Sequence, residues 1–312
     1  MLGLFRTNRK SRRQLKAELS QAQTDVQRLS AENARLAIGH HFAPGHYYST
    51  IANLEEVRLH HDAIFKNIPR ELAGIDLNEA GQRDFFNQWK PLFPEADFPV
   101  AKREGRRYYT DNGWYPYGDA IFLYCMMRHF RPTRIIEVGS GFSSCVILDT
   151  NEQFFENQIR CTFIEPEAER FLQAITPEDR GRVDLVNKDV RSLPPEYFQA
   201  LNPGDILLID SSHVSKVNSD LNFLLFQVLP VLKSGVLVHF HDIFYPFEYP
   251  ERWVYENWSW NEAYVLRAFL QYNQTFKICF MNTLWYRFHA EQIQTEIPRA
   301  MKGGGSLWLQ KN

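Results

Sequence analysis

The stretch Arg134-Ile135-Ile136-Glu137-Val138-Gly139-Ser140-Gly141-Phe142-Ser143-Ser144 decides the reading of this chain. Ile135, Ile136 and Val138 make a short apolar strand, and two glycines separate it from residues that open a helix. Glycine lets the backbone turn tightly there and lets a ligand approach the peptide N–H groups at the helix start. Glu165 follows about one βα unit later at the end of a second strand, where an acid suits the two hydroxyls of a ribose. A dinucleotide site would want a third glycine where Ser144 stands. S-adenosylmethionine, an adenosine joined to a charged amino acid without phosphate, fits better, and Glu137 is then placed to hold its ammonium group.

Outward from this turn, short β-branched runs alternate with amphipathic stretches, the pattern of a parallel α/β sheet. Strands are predicted at 134–138, 161–164, 183–187, 205–209, 236–240, 276–280 and 306–310, and helices at 117–129, 143–150, 168–175, 219–232 and 261–271. Ligands of such sheets bind beyond the carboxyl ends of the strands. The fourth strand ends in Ile209-Asp210-Ser211-Ser212-His213 and the fifth in His239-Phe240-His241-Asp242. Asp210, His241 and Asp242 on one rim suggest a divalent metal, Mg or Mn, able to acidify a hydroxyl. His213 is the matching general base, since imidazole titrates near neutrality. His239 reads as a core histidine.

The blocks IIEVGSGFSS, CTFIEPEAER, DILLIDSSHVSK, GVLVHFHDIFYPFEYP and NEAYVLRAFLQYN together resemble a bacterial family of class I S-adenosylmethionine-dependent methyltransferases over roughly residues 104–312. The resemblance implies a seven-stranded Rossmann-like sheet whose last strand inserts antiparallel beside the fifth. It assigns Glu137, Gly139, Ser140, Gly141 and Glu165 to the cofactor, and Asp189 to the adenine. The spacing of Asp210 and His213 is similar to metal-dependent sugar O-methyltransferases, in which the aspartate binds metal and the histidine is the base. Their second acidic pair is replaced here by His241-Asp242. The activity expected is O-methylation of a sugar, surface glycan or related small metabolite. An NAD-dependent oxidoreductase and a non-catalytic scaffold are the alternatives.

Toward the start of the chain, Leu15, Leu19, Ala22, Val26, Leu29, Asn33 and Leu36 are spaced 4-3-4-3-4-3, a heptad seam without glycine or proline. With Asn33 at an a position, a parallel two-stranded homo-oligomer through residues 15–36 is expected. The preceding basic run, Arg6 to Lys16, reads as a solvated arm; contact with a membrane surface is its less favoured reading. Gly39 to Gly45 breaks the helix, giving segments 1–38 (arm and coil), 39–103 (linker and helical accessory region) and 104–312 (catalytic domain). Tyr108, Tyr109, Trp114, Tyr115 and Tyr117, and a second cluster from Phe244 to Trp260, suit either a cleft mouth or an oligomer interface.

The chain has 312 residues, 44% hydrophobic and 23% charged, which excludes global disorder. Its 35 basic and 37 acidic side chains leave no overall field to attract nucleic acid. Four cysteines without a C-x-x-C pair, no apolar run near the ~20 residues of a membrane helix, and no apolar core of a secretion signal lead us to expect cytoplasmic residence.

Overall fold

The computed structural model describes residues 11–37 and 41–312. Its centre is a seven-stranded sheet: β1 (Arg134–Val138), β2 (Arg160–Ile164), β3 (Asp184–Val186), β4 (Ile206–Ile209), β5 (Leu237–His241), β6 (Phe276–Met281) and β7 (Ser306–Lys311). The order is β3-β2-β1-β4-β5-β7-β6. β7 runs antiparallel to both β5 and β6, and the other neighbours are parallel. Each strand lies within two residues of its predicted bounds, and β7 inserts where the resemblance placed it. Ile206, Leu207, Leu208 and Ile209 are all buried, as a strand covered on both faces requires. The order reverses between β1 and β4, and a crevice opens there beyond the strand ends.

The predicted helix at 219–232 is instead three short pieces, Asp220–Phe223, a π-turn Leu224–Val228, and Leu229–Val231. Pro230 explains the break. It has no N–H to donate and its ring would strike the carbonyl a turn earlier, so the backbone widens ahead of it.

Contacts divide the chain into two compact units, one reaching His61 and including Val254–Ser259, the other comprising Asp62–Trp253 and Trp260–Asn312. The compact units thus divide the chain elsewhere than at 38 and 103, because the Glu79–Trp89 helix is built into the sheet. β6 has a register shift between Ile278 and Phe280. Asn78 Nδ2 donates to Ile278 O at 2.8 Å and Met281 N donates to Gln82 Oε1 at 3.0 Å, so the helix satisfies backbone groups beside the irregularity. Phe86 stacks on Trp285, and Trp89 meets Phe280.

In the first unit, α1 (Arg12–Ala37) is one continuous helix. Leu15, Leu19, Val26 and Leu29 of its seam are each more than half exposed. Arg6, Arg9, Lys10 and Gly39 lie outside the described residues. Among those described, no helix is long and apolar enough to cross a membrane. Part of the two aromatic clusters is core: Tyr108, Tyr115, Tyr117, Tyr245, Phe247 and Tyr249 are all buried, while Trp114 and Trp258 are exposed.

Candidate active site

A cavity of about 670 Å³ opens at the switch between β1 and β4. The β1 turn forms one wall. Gly139 has φ +84°, and a Cβ there would sit 1.8 Å from the carbonyl oxygen of Asp210, so only glycine allows the turn to pass so close to the end of β4. Gly141 is different: it is extended, and an added Cβ would meet nothing nearer than the Arg170 guanidinium at 3.6 Å. Gly139, Ser140 and Gly141 all line the cavity, and the buried Ser140 hydroxyl has no hydrogen-bond partner among the described residues.

Glu165 also lines the cavity, with one carboxylate oxygen accepting from Ser140 N at 3.0 Å and the other from Glu167 N at 2.8 Å. Both oxygens keep a lone pair for a diol. Asp189 lines it too, but its side chain is taken up by Arg191, whose hydrogen bonds hold the carboxyl below the usual range.

Glu137 departs from expectation. It is fully buried, does not line the cavity, and its carboxylate accepts from the Ser144 hydroxyl, which in turn accepts from Gly141 N at 3.0 Å. Glu137 therefore braces the turn from behind and is not aimed at a ligand ammonium. Burial pushes its carboxyl up to about 8 against the opposing Ser143 and Ser144 hydrogen bonds, so it carries its proton at neutral pH.

The opposite wall is the rim of β4 and β5, with Asp210, His213, His241 and Asp242 all on the cavity. Asp210 Oδ1 lies 3.3 Å from both His213 Nε2 and His241 Nδ1. Asp242 Oδ2 is 3.6 Å from His241 Nδ1 and 4.0 Å from His213 Nε2. Behind the rim, His213 Nδ1 is 2.7 Å from Glu262 Oε2 and His241 Nε2 is 3.2 Å from Asp119 Oδ2. Each imidazole also lies against an aromatic ring, Trp260 for His213 and Tyr115 for His241. Asp119 and Glu262, both buried, were not singled out in the sequence. Each reads there as an ordinary acid in the first turn of an apolar helix.

The charges at this rim sort themselves by their neighbours. Burial pulls His213 down, but Asp210 and Glu262 outweigh it and lift the ring to about 10. Burial likewise opposes protonation of His241, and Asp242, Asp210 and Asp119 together raise it well above its ordinary value. Burial would raise Asp210, yet the two rings drive it below the usual range. For Asp242 burial prevails over His241 and His213, and the carboxyl rises to about 6. The neighbouring carboxylates thus favour the protonated ring of His213, a pull against the base role expected for it. Among the described residues no three His, Cys, Asp or Glu side chains form a group able to hold a metal ion. The expected set of Asp210, His241 and Asp242 is arranged as carboxylate–imidazole pairs instead. His239 is core as expected, fully buried beside Trp308, and neither ring nitrogen has a hydrogen-bond partner among the described residues.

A family model described as a methyltransferase domain matches residues 136–243. A protein of Archaeoglobus fulgidus described as uncharacterized is 32% identical over 176 residues, 54% of this chain and 78% of its own. Among solved structures, a methyltransferase of Podospora anserina bound to SAH is 13% identical, with a TM-score of 0.39, covering 88% of this chain and 99% of that one. An O-methyltransferase of Streptomyces achromogenes involved in tomaymycin synthesis, in complex with SAM, is 14% identical, with a TM-score of 0.40 and coverage of 82% and 96%.

Proposed function

We propose that this chain, a member of the class I S-adenosylmethionine-dependent methyltransferases, methylates a hydroxyl group of a sugar, surface glycan or related small metabolite. Family membership displaces the oxidoreductase and scaffold readings. The observation that carries the proposal is the double engagement of Asp210. Its backbone touches the Gly139 turn, and its side chain meets both rim imidazoles. A donor on the turn and an acceptor at the rim are thereby held side by side, and such positioning supplies much of the rate of a displacement reaction.

Gly139, Ser140 and Gly141 fit the amino-acid end of the cofactor, and Glu165 fits its ribose. Bound there, the cofactor supplies a methyl on a sulfonium: the S–C bond breaks as the O–C bond forms, leaving S-adenosylhomocysteine. The acceptor's proton passes to Asp242, whose proton affinity lies nearest neutrality. His213 and His241, as cations, lower the charge cost of the oxygen that is losing it. No step is derived through a divalent metal, since the described residues form no group able to hold one. Trp114, Tyr115, Phe142 and Trp260 bring aromatic rings to the cavity, suited to the apolar face of a sugar ring.

The test is transfer of a labelled methyl from S-adenosylmethionine to a panel of sugars and glycan fragments by the full chain. Label in an ether-linked methyl on an acceptor oxygen supports the reading. Label on an amine or thiol acceptor in its place overturns it.

Two copies joined through α1 complete the proposal. The exposed seam of Leu15, Leu19, Val26 and Leu29 is the supporting observation, since burying it against a second helix removes apolar surface from water.

A further inference from the structure

The loop after β4 carries His213 in a conformation that a non-glycine residue seldom adopts, φ +59°. Such a residue persists only where its surroundings over-determine it. Here they do so from one direction. The backbone N–H groups of Asn261 and Glu262 both donate to His213 O at 3.2 Å. Asn261 Oδ1 accepts from Ser215 N at 2.6 Å, and Asn261 Nδ2 donates to Ser215 O at 3.1 Å. The Glu262 carboxylate then meets His213 Nδ1 at 2.7 Å. Glu262 begins the Glu262–Leu270 helix, is 1% exposed, and does not line the cavity. Its other oxygen has no hydrogen-bond partner among the described residues, so burying this acid serves no further contact there.

We propose that Glu262 is a positioning residue: it holds the proton of His213 on Nδ1 and turns Nε2 toward Asp210 and the acceptor. This rests on the reading above that the acceptor sits at the β4–β5 rim. A carboxylate behind an imidazole fixes which nitrogen faces the reacting group and stabilises the ring's positive charge. Without it, the ring would be free to turn and Nε2 would no longer be held toward Asp210. Asp119 stands in the same relation to His241, but it also accepts from Asn282 Nδ2 at 2.8 Å, and that side chain in turn accepts from Ser306 N at the start of β7. Substituting Asp119 would disturb the sheet, whereas the Glu262 carboxylate has its side-chain hydrogen bond, among the described residues, with His213.

The experiment compares ring-nitrogen NMR spectra of full-length, ¹⁵N-labelled wild type, Glu262→Gln and Glu262→Ala, with His213→Asn to identify the signals. Wild type is expected to show a downfield, slowly exchanging Nδ1 proton from His213. Glu262→Gln keeps an acceptor oxygen, so that signal stays on Nδ1 but shifts upfield. In Glu262→Ala it is lost to exchange. Calorimetry with S-adenosylhomocysteine should give the same affinity in wild type and Glu262→Gln to within about twofold, since the residue is outside the cavity. Coincident spectra in wild type and Glu262→Ala, or an unprotonated Nδ1 in wild type, overturn the proposal. Should Glu262→Ala fail to fold, an unshifted signal in Glu262→Gln overturns it equally. With a working acceptor, Glu262→Gln should lower kcat by about 10–100-fold and leave KM near wild type. A shifted spectrum with unchanged kcat would retain the positioning of His213 and remove the acceptor from the rim, separating the two readings.

Discussion

Gly139 and Asp210 are in backbone contact so close that a single added carbon on the glycine would lie 1.8 Å from the aspartate's carbonyl oxygen. The turn at the end of β1 and the rim at the end of β4 are one surface, and a change in either moves the other.

Gly139→Ala should therefore act on the fold before it acts on binding. A clash with backbone, added to the cost of φ +84° in a residue with a side chain, should lower stability by about 2–4 kcal/mol, visible as a drop in Tm. Gly141→Ala meets no such obstacle. It should keep the wild-type Tm and lose affinity for S-adenosylhomocysteine in calorimetry. Equal melting temperatures for the two variants would contradict this account of the turn.

Glu165→Gln should separate ligand recognition from architecture. The amide still offers one acceptor oxygen to the Ser140 or Glu167 N–H, but it loses the charge that strengthens bonds to a diol. Affinity for S-adenosylhomocysteine should fall by about 1.5–3 kcal/mol, close to tenfold or more, with little change in Tm. Unaltered affinity would move the ribose elsewhere.

Glu137 ties stability to pH. Its carboxyl is lifted from 4.5 to about 8 by burial, so the folded state binds the proton more tightly than the unfolded chain does. The sign follows: stability from this group falls as pH rises from about 4.5 through about 8, by on the order of a few kcal/mol in all. Glu137→Gln, which mimics the protonated acid, should flatten that slope in denaturation curves taken across the range. A slope unchanged by the substitution would show that Glu137 is ionised in the fold.

Turnover should follow a bell-shaped pH profile. Activity rises as Asp242 loses its proton near about 6 and falls as His213 loses its own near about 10. Asp242→Asn should remove the acid limb and lower the rate by roughly 10²–10⁴. An acid limb that survives in Asp242→Asn would assign proton removal to another group.

Removing the residues before position 41 should reduce the oligomeric state and leave the methyltransferase fold intact, because α1 exposes its seam and lies in the other compact unit. Light scattering and circular dichroism check the two halves of this statement. The same mass per particle, relative to the monomer, with and without α1 would remove the coil from the assembly.

The sheet was legible because its strands are apolar runs bounded by glycine, proline and charge, and a strand buried on both faces has little freedom to be anything else. Glu165 and the rim residues were legible because each lies at or just beyond the end of a strand, where such folds place their ligands. Glu137 misled for the same reason: it sits beside the turn in sequence, yet strand alternation turns it inward to the Ser144 hydroxyl. His213 was found as a residue but not as a charge state. Asp210, three residues before it, and Glu262, 49 positions away, together favour its proton, and no local pattern brings Glu262 to the ring. The Glu79–Trp89 helix falls within the region read as helical and accessory, while its attachment to β6 depends on a register shift that only the paired strands reveal.

That attachment bears on how the protein is made. Asn78 and its partner Ile278 are 200 residues apart, so at roughly 5–20 residues per second the helix leaves the ribosome about 10–40 s before the strand it will seal. For that interval the faces of Phe86 and Trp89 have no Trp285 or Phe280 to cover them. The chain cannot complete its edge from the front, and the nascent protein is most exposed to misassociation just before its last strands emerge.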